Sequence, residues 1–319
     1  MSKRRRFRRS LAVLILLVLV LVGGWTGAWY LLAGRLADHL ASWESQAQAA
    51  GFTIRHDPPV RTGWPMAAGI RLTNVSVQVS RSYLPGGGVW QAGQVTLALD
   101  IRHTGNLFIG IDGRQSVTLG QNPPIAFQAQ TMTALAALLP GDRLGLIRGN
   151  ASAILAAWPA GSGKVQPVSI ASIAAALNAA GPDLTLAAQL HDIGLPRSHM
   201  AALGNPAFLS FDTVVSGLPA KPSLTLRAFH LDDGPLTLNA TGQFDLAADR
   251  KLQGMVNVTA QGLDQAMLTL AEAKVMTKPE ARAMTAVASL VMAPNRAAPL
   301  ILDDGLVRLG PIPLFRWPQ

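Results

Sequence analysis

Leu236-Thr-Leu-Asn-Ala-Thr-Gly-Gln-Phe-Asp-Leu246 puts Leu236, Leu238, Ala240, Phe244 and Leu246 on one parity and Thr237, Asn239, Thr241, Gln243 and Asp245 on the other. Successive side chains of a strand point to opposite faces, so one apolar and one polar set at a period of two read as a half-buried β-strand. A helix would scatter the same residues around its circumference. The stretch Val95-Thr-Leu-Ala-Leu-Asp-Ile-Arg102 alternates in the same way, as do Leu184, Leu186, Ala188 and Leu190, and Val256, Val258 and Ala260.

Between Leu72 and Val75 the apolar parity changes from even to odd, which predicts a bulge near Thr73 or Asn74 and a bent sheet. Strands run into Gly194-Leu195-Pro196, Gly217-Leu218-Pro219 and Gly262-Leu263-Asp264, each read as a glycine turn from which a leucine returns to the apolar side. Helical patterns are expected near 132–139, 169–180 and 264–292. In the last, Asp264 is placed to cap one helix, and Thr277-Lys-Pro-Glu280 is a capping box opening another. The fold class is therefore mainly β, a curved antiparallel sheet over residues 51–319 with a few packing helices.

Ahead of that domain, residues 1–10 form a basic tail and residues 11–33 carry no charge. At about 1.5 Å per residue the 11–33 stretch reaches roughly 35 Å, enough for a hydrocarbon core of about 30 Å. Six cations (Lys3, Arg4, Arg5, Arg6, Arg8, Arg9) precede it and only Arg35 closely follows, so the amino terminus is expected in the cytoplasm and the rest across the cytoplasmic membrane, in the periplasm. Leu11 and Leu21 lie in the apolar run, while Trp25 and Trp29 lie toward its far end, where amphipathic rings favour the interface. A cleaved signal peptide is the competing reading, but its apolar region is usually shorter, about 7–15 residues. Leu36, Leu40, Trp43 and Ala47 then repeat at helical spacing, giving a juxtamembrane helix over 34–50 that Gly51 ends.

The formal charge of +9 is mostly this tail. Setting its six cations aside from the 27 basic residues leaves 21 against 18 acidic, without the basic stripe that nucleic acid requires. Cysteine is absent, which removes disulfides, thiolate metal sites and cysteine nucleophiles. The six histidines show no metal-ligand spacing, and Gly161-Ser-Gly-Lys164 lacks both the first glycine and the final Ser/Thr of a phosphate loop. Asp232-Asp233-Gly234 and Asp303-Asp304-Gly305 read as hairpin turns ahead of any catalytic dyad or calcium site. No cofactor is expected.

Gly63-Trp-Pro-Met-Ala-Ala-Gly-Ile-Arg-Leu-Thr-Asn-Val-Ser-Val77, Trp90-Gln-Ala-Gly-Gln-Val-Thr-Leu-Ala-Leu99 and Asp304-Gly-Leu-Val-Arg-Leu-Gly-Pro-Ile-Pro313 resemble a bacterial family, domain of unknown function 2125. The order of anchor and amphipathic strands is also similar to the wider AsmA-like envelope proteins. That resemblance implies a long bent sheet whose apolar face can hold acyl chains, and it brings no catalytic residues. Two function classes stay open. One is a non-enzymatic envelope protein binding phospholipid or assisting envelope assembly, with groove positions such as Leu236, Leu238, Val256 and Val258. The other is an interaction module holding an envelope protein partner near the bilayer. An exported hydrolase ranks below both, for want of a convergent polar site.

Overall fold

The computed structural model of the chain describes residues 2–81, 86–100, 103–140, 143–159, 165–179, 181–195, 206–217, 222–246, 252–273, 276–291, 297–303, 306–309 and 312–316. A single helix, α1 (Ser2–Ala49), combines the expected tail, span and juxtamembrane helix. Among the described residues seventeen strands follow: β1 (Phe52–Arg55), β2 (Val60–Thr62), β3 (Ala67–Val79), β4 (Gly88–Asp100), β5 (His103–Leu119), β6 (Ile125–Gln128), β7 (Thr131–Leu139), β8 (Arg143–Pro159) and β9 (Val165–Asn178). Then come β10 (Leu184–Gly194), β11 (Phe208–Ser216), β12 (Ser223–Asp233), β13 (Leu236–Leu246), β14 (Leu252–Gln261), β15 (Ala298–Asp303), β16 (Leu306–Leu309) and β17 (Ile312–Arg316). Helices α2 (Leu263–Glu272) and α3 (Lys278–Val291) separate β14 from β15.

The strands form one antiparallel meander. From β3 onward each pairs with its successor, except that β6 and β7 together fill one position between β5 and β8; β1 and β2 share the other edge of β3. The expected helices near 132–139 and 169–180 are strands β7 and β9. Their alanine-rich sequences favour helix intrinsically, but both edges of each are taken up by neighbouring strands, and that pairing overrides propensity. The helices within 264–292 form. Thr277 and Glu280 make the capping box: the Thr277 N–H donates to Glu280 Oε2 at 2.8 Å, and the Glu280 N–H donates back to Thr277 Oγ1 at 3.4 Å. The Thr277 backbone N–H, and after it the Thr277 hydroxyl donating to the same oxygen at 2.9 Å, hold the Glu280 carboxyl below its ordinary range. Helix α2 differs from expectation in one detail. Its N-cap is Gly262 at φ 69°, and Asp264 sits inside the first turn, where its charge still favours the helix dipole.

Directly opposed residues share a face, so the registers can be followed across the sheet. One row runs Ala68, Leu99, Leu107, Ala136, Ile147, Leu177, Leu186, Thr213, Leu226, Gly242, Val256, Leu300, Leu309, Ile312. Thr213 is the one polar member, and its hydroxyl donates to the Leu186 carbonyl at 3.1 Å. With strands about 4.8 Å apart, thirteen steps carry this apolar row roughly 62 Å.

A second transverse line explains how the sheet bends. Asn74 (φ 53°) stands opposite Gly93, Gly93 opposite Gly113 (φ 84°) and Arg114, Ala153 (φ 47°) opposite Ala171, and Ala171 opposite Asp192 (φ 50°). Among the described residues, Asn74, Ala153 and Asp192 are the non-glycine positions in the left-handed region, and all three lie on this line. At it the apolar parity inverts: Ile70 and Leu72 give way to Val75, Val95 to Ala92, Ala151 to Ile154, Ile173 to Ile170 and Leu190 to Ile193. A left-handed residue kinks the strand and brings the next side chain back to the face it would otherwise leave. The flip expected near Thr73 or Asn74 is one site of a crease that crosses β3 to β10.

The second half of α1 docks on β3. At the expected helical spacing Leu36 and Leu40 are buried and Trp43 and Ala47 half-buried, and Leu36, Leu40 and Trp43 join Ile70, Leu72 and Val75 in the core; Ala33 is buried as well. The two leucines contribute roughly 3–6 kcal/mol of burial together. Further down, the Trp29 indole donates to the Ala67 carbonyl at 2.7 Å and the Trp25 indole to the Pro65 carbonyl at 2.9 Å, while the Arg61 guanidinium lies 3.9 Å over the Tyr30 ring. At the upper end His56 bridges the Glu44 carboxylate and the Asp57 carbonyl. Burial pushes the His56 pKa down, but these oxygen acceptors outweigh it and the net shift is upward.

Two outcomes follow from these contacts. Ala153→Val places a β-branched residue at φ 47° and is expected to lower stability by about 1–2 kcal/mol, while Ala153→Gly does not lower it, read from denaturant midpoints of the detergent-solubilised full chain. His56 binds its proton more tightly folded than unfolded. Its contribution is therefore fully present below the ordinary value of 6.5 and lost as pH rises through the raised folded value. The thermal midpoint should fall between about pH 6 and pH 8, and Glu44→Gln should flatten that fall.

Candidate functional site

The transverse apolar row is closed at its ends and open between them. Near α1, Ala68 and Ala136 are fully buried and Leu107 is 2% exposed; at the far end Val256 and Leu309 are buried as well. Midway, Leu186 is 38% exposed between the half-buried Leu177 and the buried Thr213, with Leu226 half-buried beyond. Helix α2, with Ala266, Leu270 and Ala271 buried, packs against α3 and against β13. The strands from β8 to β12 lie between these two covers. The whole chain exposes 20234 Å², against about 12,700 Å² for a compact monomer of its mass. The exposed apolar residues Leu14 to Val22 of α1 contribute to the excess.

The residues expected to line a groove share one face. Leu238 opposes Ala260, Ala240 opposes Val258, and Gly242 opposes Val256. Leu236, Leu238 and Val258 are half-buried and Val256 is buried, so they sit at the closed end of the row, beside α2. Sequence reasoning missed Leu177, Leu226 and the row itself. Leu186 was one member of a recognised strand, with no signal marking it as the open position. Of the anchor positions, Leu21 is 63% and Trp25 41% exposed, and Trp29 is half-buried against β3; the Leu11 side chain lies outside the described residues.

Among the described residues, the acids and histidines form local hydrogen-bonded groups. Asp232 and Asp233 end β12 in a hairpin turned at Gly234 (φ 56°), and adjacent strand positions send their side chains to opposite faces. Asp232 accepts from the Thr237 hydroxyl at 2.8 Å and pairs with His230 at 3.0 Å, and these bonds hold its carboxyl below the ordinary range. His230 faces oxygen acceptors through both ring nitrogens, Asn239 at 2.8 Å and Asp232, which raises its pKa. Asp233 is 1% exposed on the apolar side, and burial pushes its carboxyl up. The pair is thus split between faces and forms no dyad. Asp304-Gly305 and Gly161-Ser-Gly-Lys164 lie outside the described residues. Among the described residues no group of three His, Cys, Asp or Glu is placed to hold a metal.

A separate concavity of about 840 Å³ opens near the crease, between β5, β6, β8 and β9. Leu155, Ala157, Val165 and Pro167 line it from the face opposite the row. Its lining carries one charged residue, Arg114, and no acid–base pair. The arrangement of the long row suits the binding of an apolar chain: a largely aliphatic surface interrupted by Thr213, an exposed Leu186 midway and no acid or base among its members.

Helix α1 is long and apolar enough to cross a membrane. No curated protein and no solved structure matches the chain. Residues 29–318, from the docked end of α1 through the meander, match one family over nearly the whole sheet. The chain belongs to the domain of unknown function 2125 family, described as uncharacterized proteins conserved in bacteria.

Proposed function

We infer that the protein is a membrane-anchored, non-enzymatic component of the bacterial cell envelope whose sheet holds phospholipid acyl chains along its apolar row. The carrying observation is Leu186, exposed on an aliphatic face whose two ends are covered. Apolar surface left in water costs about 25 cal/mol per Å², so an acyl chain lying there is favoured without specific contacts. The four strand spacings from β8 to β12 measure about 19 Å, and one leaflet contributes roughly 15 Å of chain, so the open middle suits the length of one acyl chain.

The charge asymmetry across the span supports an orientation with the amino terminus in the cytoplasm and the sheet in the periplasm, on the outer side of the cytoplasmic membrane. In this reading the anchor keeps the row beside a lipid source.

A photo-crosslinking residue tests the reading, because neighbouring strand positions face opposite ways. Introduced at Leu186 in the full chain in native membranes, it should capture phospholipid; at Ala187 it should capture several-fold less. Equal capture at the two positions, or none at 186, overturns lipid binding on this face. A captured polypeptide at 186 would instead favour an interaction module for an envelope partner.

A further inference from the structure

We propose that the turn at Trp64-Pro65-Met66 is a second membrane contact, a wedge that enters the outer boundary of the same bilayer beside α1. This rests on the anchor reading of α1, and on nothing about lipid in the sheet. The β2–β3 hairpin runs down along the helix. Leu40 and Leu72 lie in one buried cluster, Trp29 holds Ala67, and Trp25 holds Pro65. From Trp25 to Leu40 the helix rises about 22 Å and from Pro65 to Leu72 the strand rises about 23 Å, so the two lie side by side. The tip of the hairpin is therefore level with Trp25, inside the uncharged 11–33 stretch.

The tip has the chemistry of that depth. Residues 62–70, Thr-Gly-Trp-Pro-Met-Ala-Ala-Gly-Ile, carry no charge, and Arg61 and Arg71 bound them. Trp64 is 54% and Met66 75% exposed, and nearby Val60 is 61% exposed. In lipid, backbone polar groups must find partners within the protein. Here the Ala67 N–H donates to the Gly63 carbonyl, proline has no N–H, and the Pro65 and Ala67 carbonyls accept the two indoles. Two tryptophans thus satisfy the Pro65 and Ala67 carbonyls.

Charge marks where the water-facing level resumes. Asp100 pairs with Ala67, at the height of Trp29, and Arg61 stacks on Tyr30 one residue higher along the helix. Trp25 is four residues below Trp29, so the tip reaches about 6 Å beneath that level. This matches the depth of about 5–10 Å at which apolar side chains enter the headgroup–acyl boundary. The wedge and the helix together fix the tilt of the sheet over the membrane, which one helix alone leaves free.

The absence of native cysteine allows single nitroxide labels in the full chain, reconstituted into phospholipid vesicles. Met66→Cys is compared with Leu21→Cys in the span and with Met255→Cys, an exposed methionine on β14, 48% exposed. Labels at 66 and 21 should show collision ratios of oxygen to an aqueous nickel chelate several-fold above the label at 255. If 66 matches 255 while 21 reports lipid, the wedge is wrong and the anchor stands. If 21 also reports water, the anchor reading fails and the wedge with it.

Discussion

A sheet that bends must still keep its apolar side chains on one side, and a side-chain period of two makes this a strict condition. Any strand that kinks by one left-handed residue would expose its apolar set unless the sequence inverts parity at the same place. Here the kinks at Asn74, Ala153 and Asp192 are coupled to such inversions, and hydrogen-bonded registers align them into one crease. The crease and the long apolar row depend on each other: without the inversion, Ile193 and Ile154 would leave the face that Leu190 and Ala151 occupy.

The docking of α1 closes one end of that face. Leu36 and Leu40 cover β3 and β4, the two indole bonds fix the strand's height along the helix, and the His56–Glu44 pair secures the upper end. Helix and first hairpin thereby behave as one unit, and the remaining strands are added sideways from it, hairpin by hairpin. At the far end α2 packs against β13, and among the described residues no helix packs against β8 to β12. That asymmetry of cover, rather than any cluster of reactive groups, is what distinguishes the middle of the row.

Much of this was legible in the sequence. The alternation in 95–101 and 236–246, the flip after Leu72, the helical spacing of Leu36, Leu40 and Trp43, and the Thr277 capping box all follow from local periodicity or local hydrogen bonding. Strands β7 and β9 were not legible, because Leu and Ala on both faces of 132–139 and the alanines of 171–176 blur the period of two and raise helix propensity. The crease was visible at one strand only, since its other positions are glycine, alanine and aspartate with no common signature. Its line, like the row and the exposure of Leu186, depends on registers between distant strands, which no window of sequence contains. The Gly-Leu recurrence misled: Gly217 turns the chain after β11, whereas Gly262 leads into α2.

The account turns on parity inversion at the crease, and a thiol-reactivity scan of β10 in the full chain tests it most directly. Single cysteines from 188 to 193 should react slowly at 188, 190 and 193 and quickly at 189, 191 and 192, because Ala188 and Ile193 are buried and Gln189, His191 and Asp192 exposed. An uninterrupted alternation, with 193 as reactive as 189 and 191, would contradict the crease and with it the single continuous apolar face.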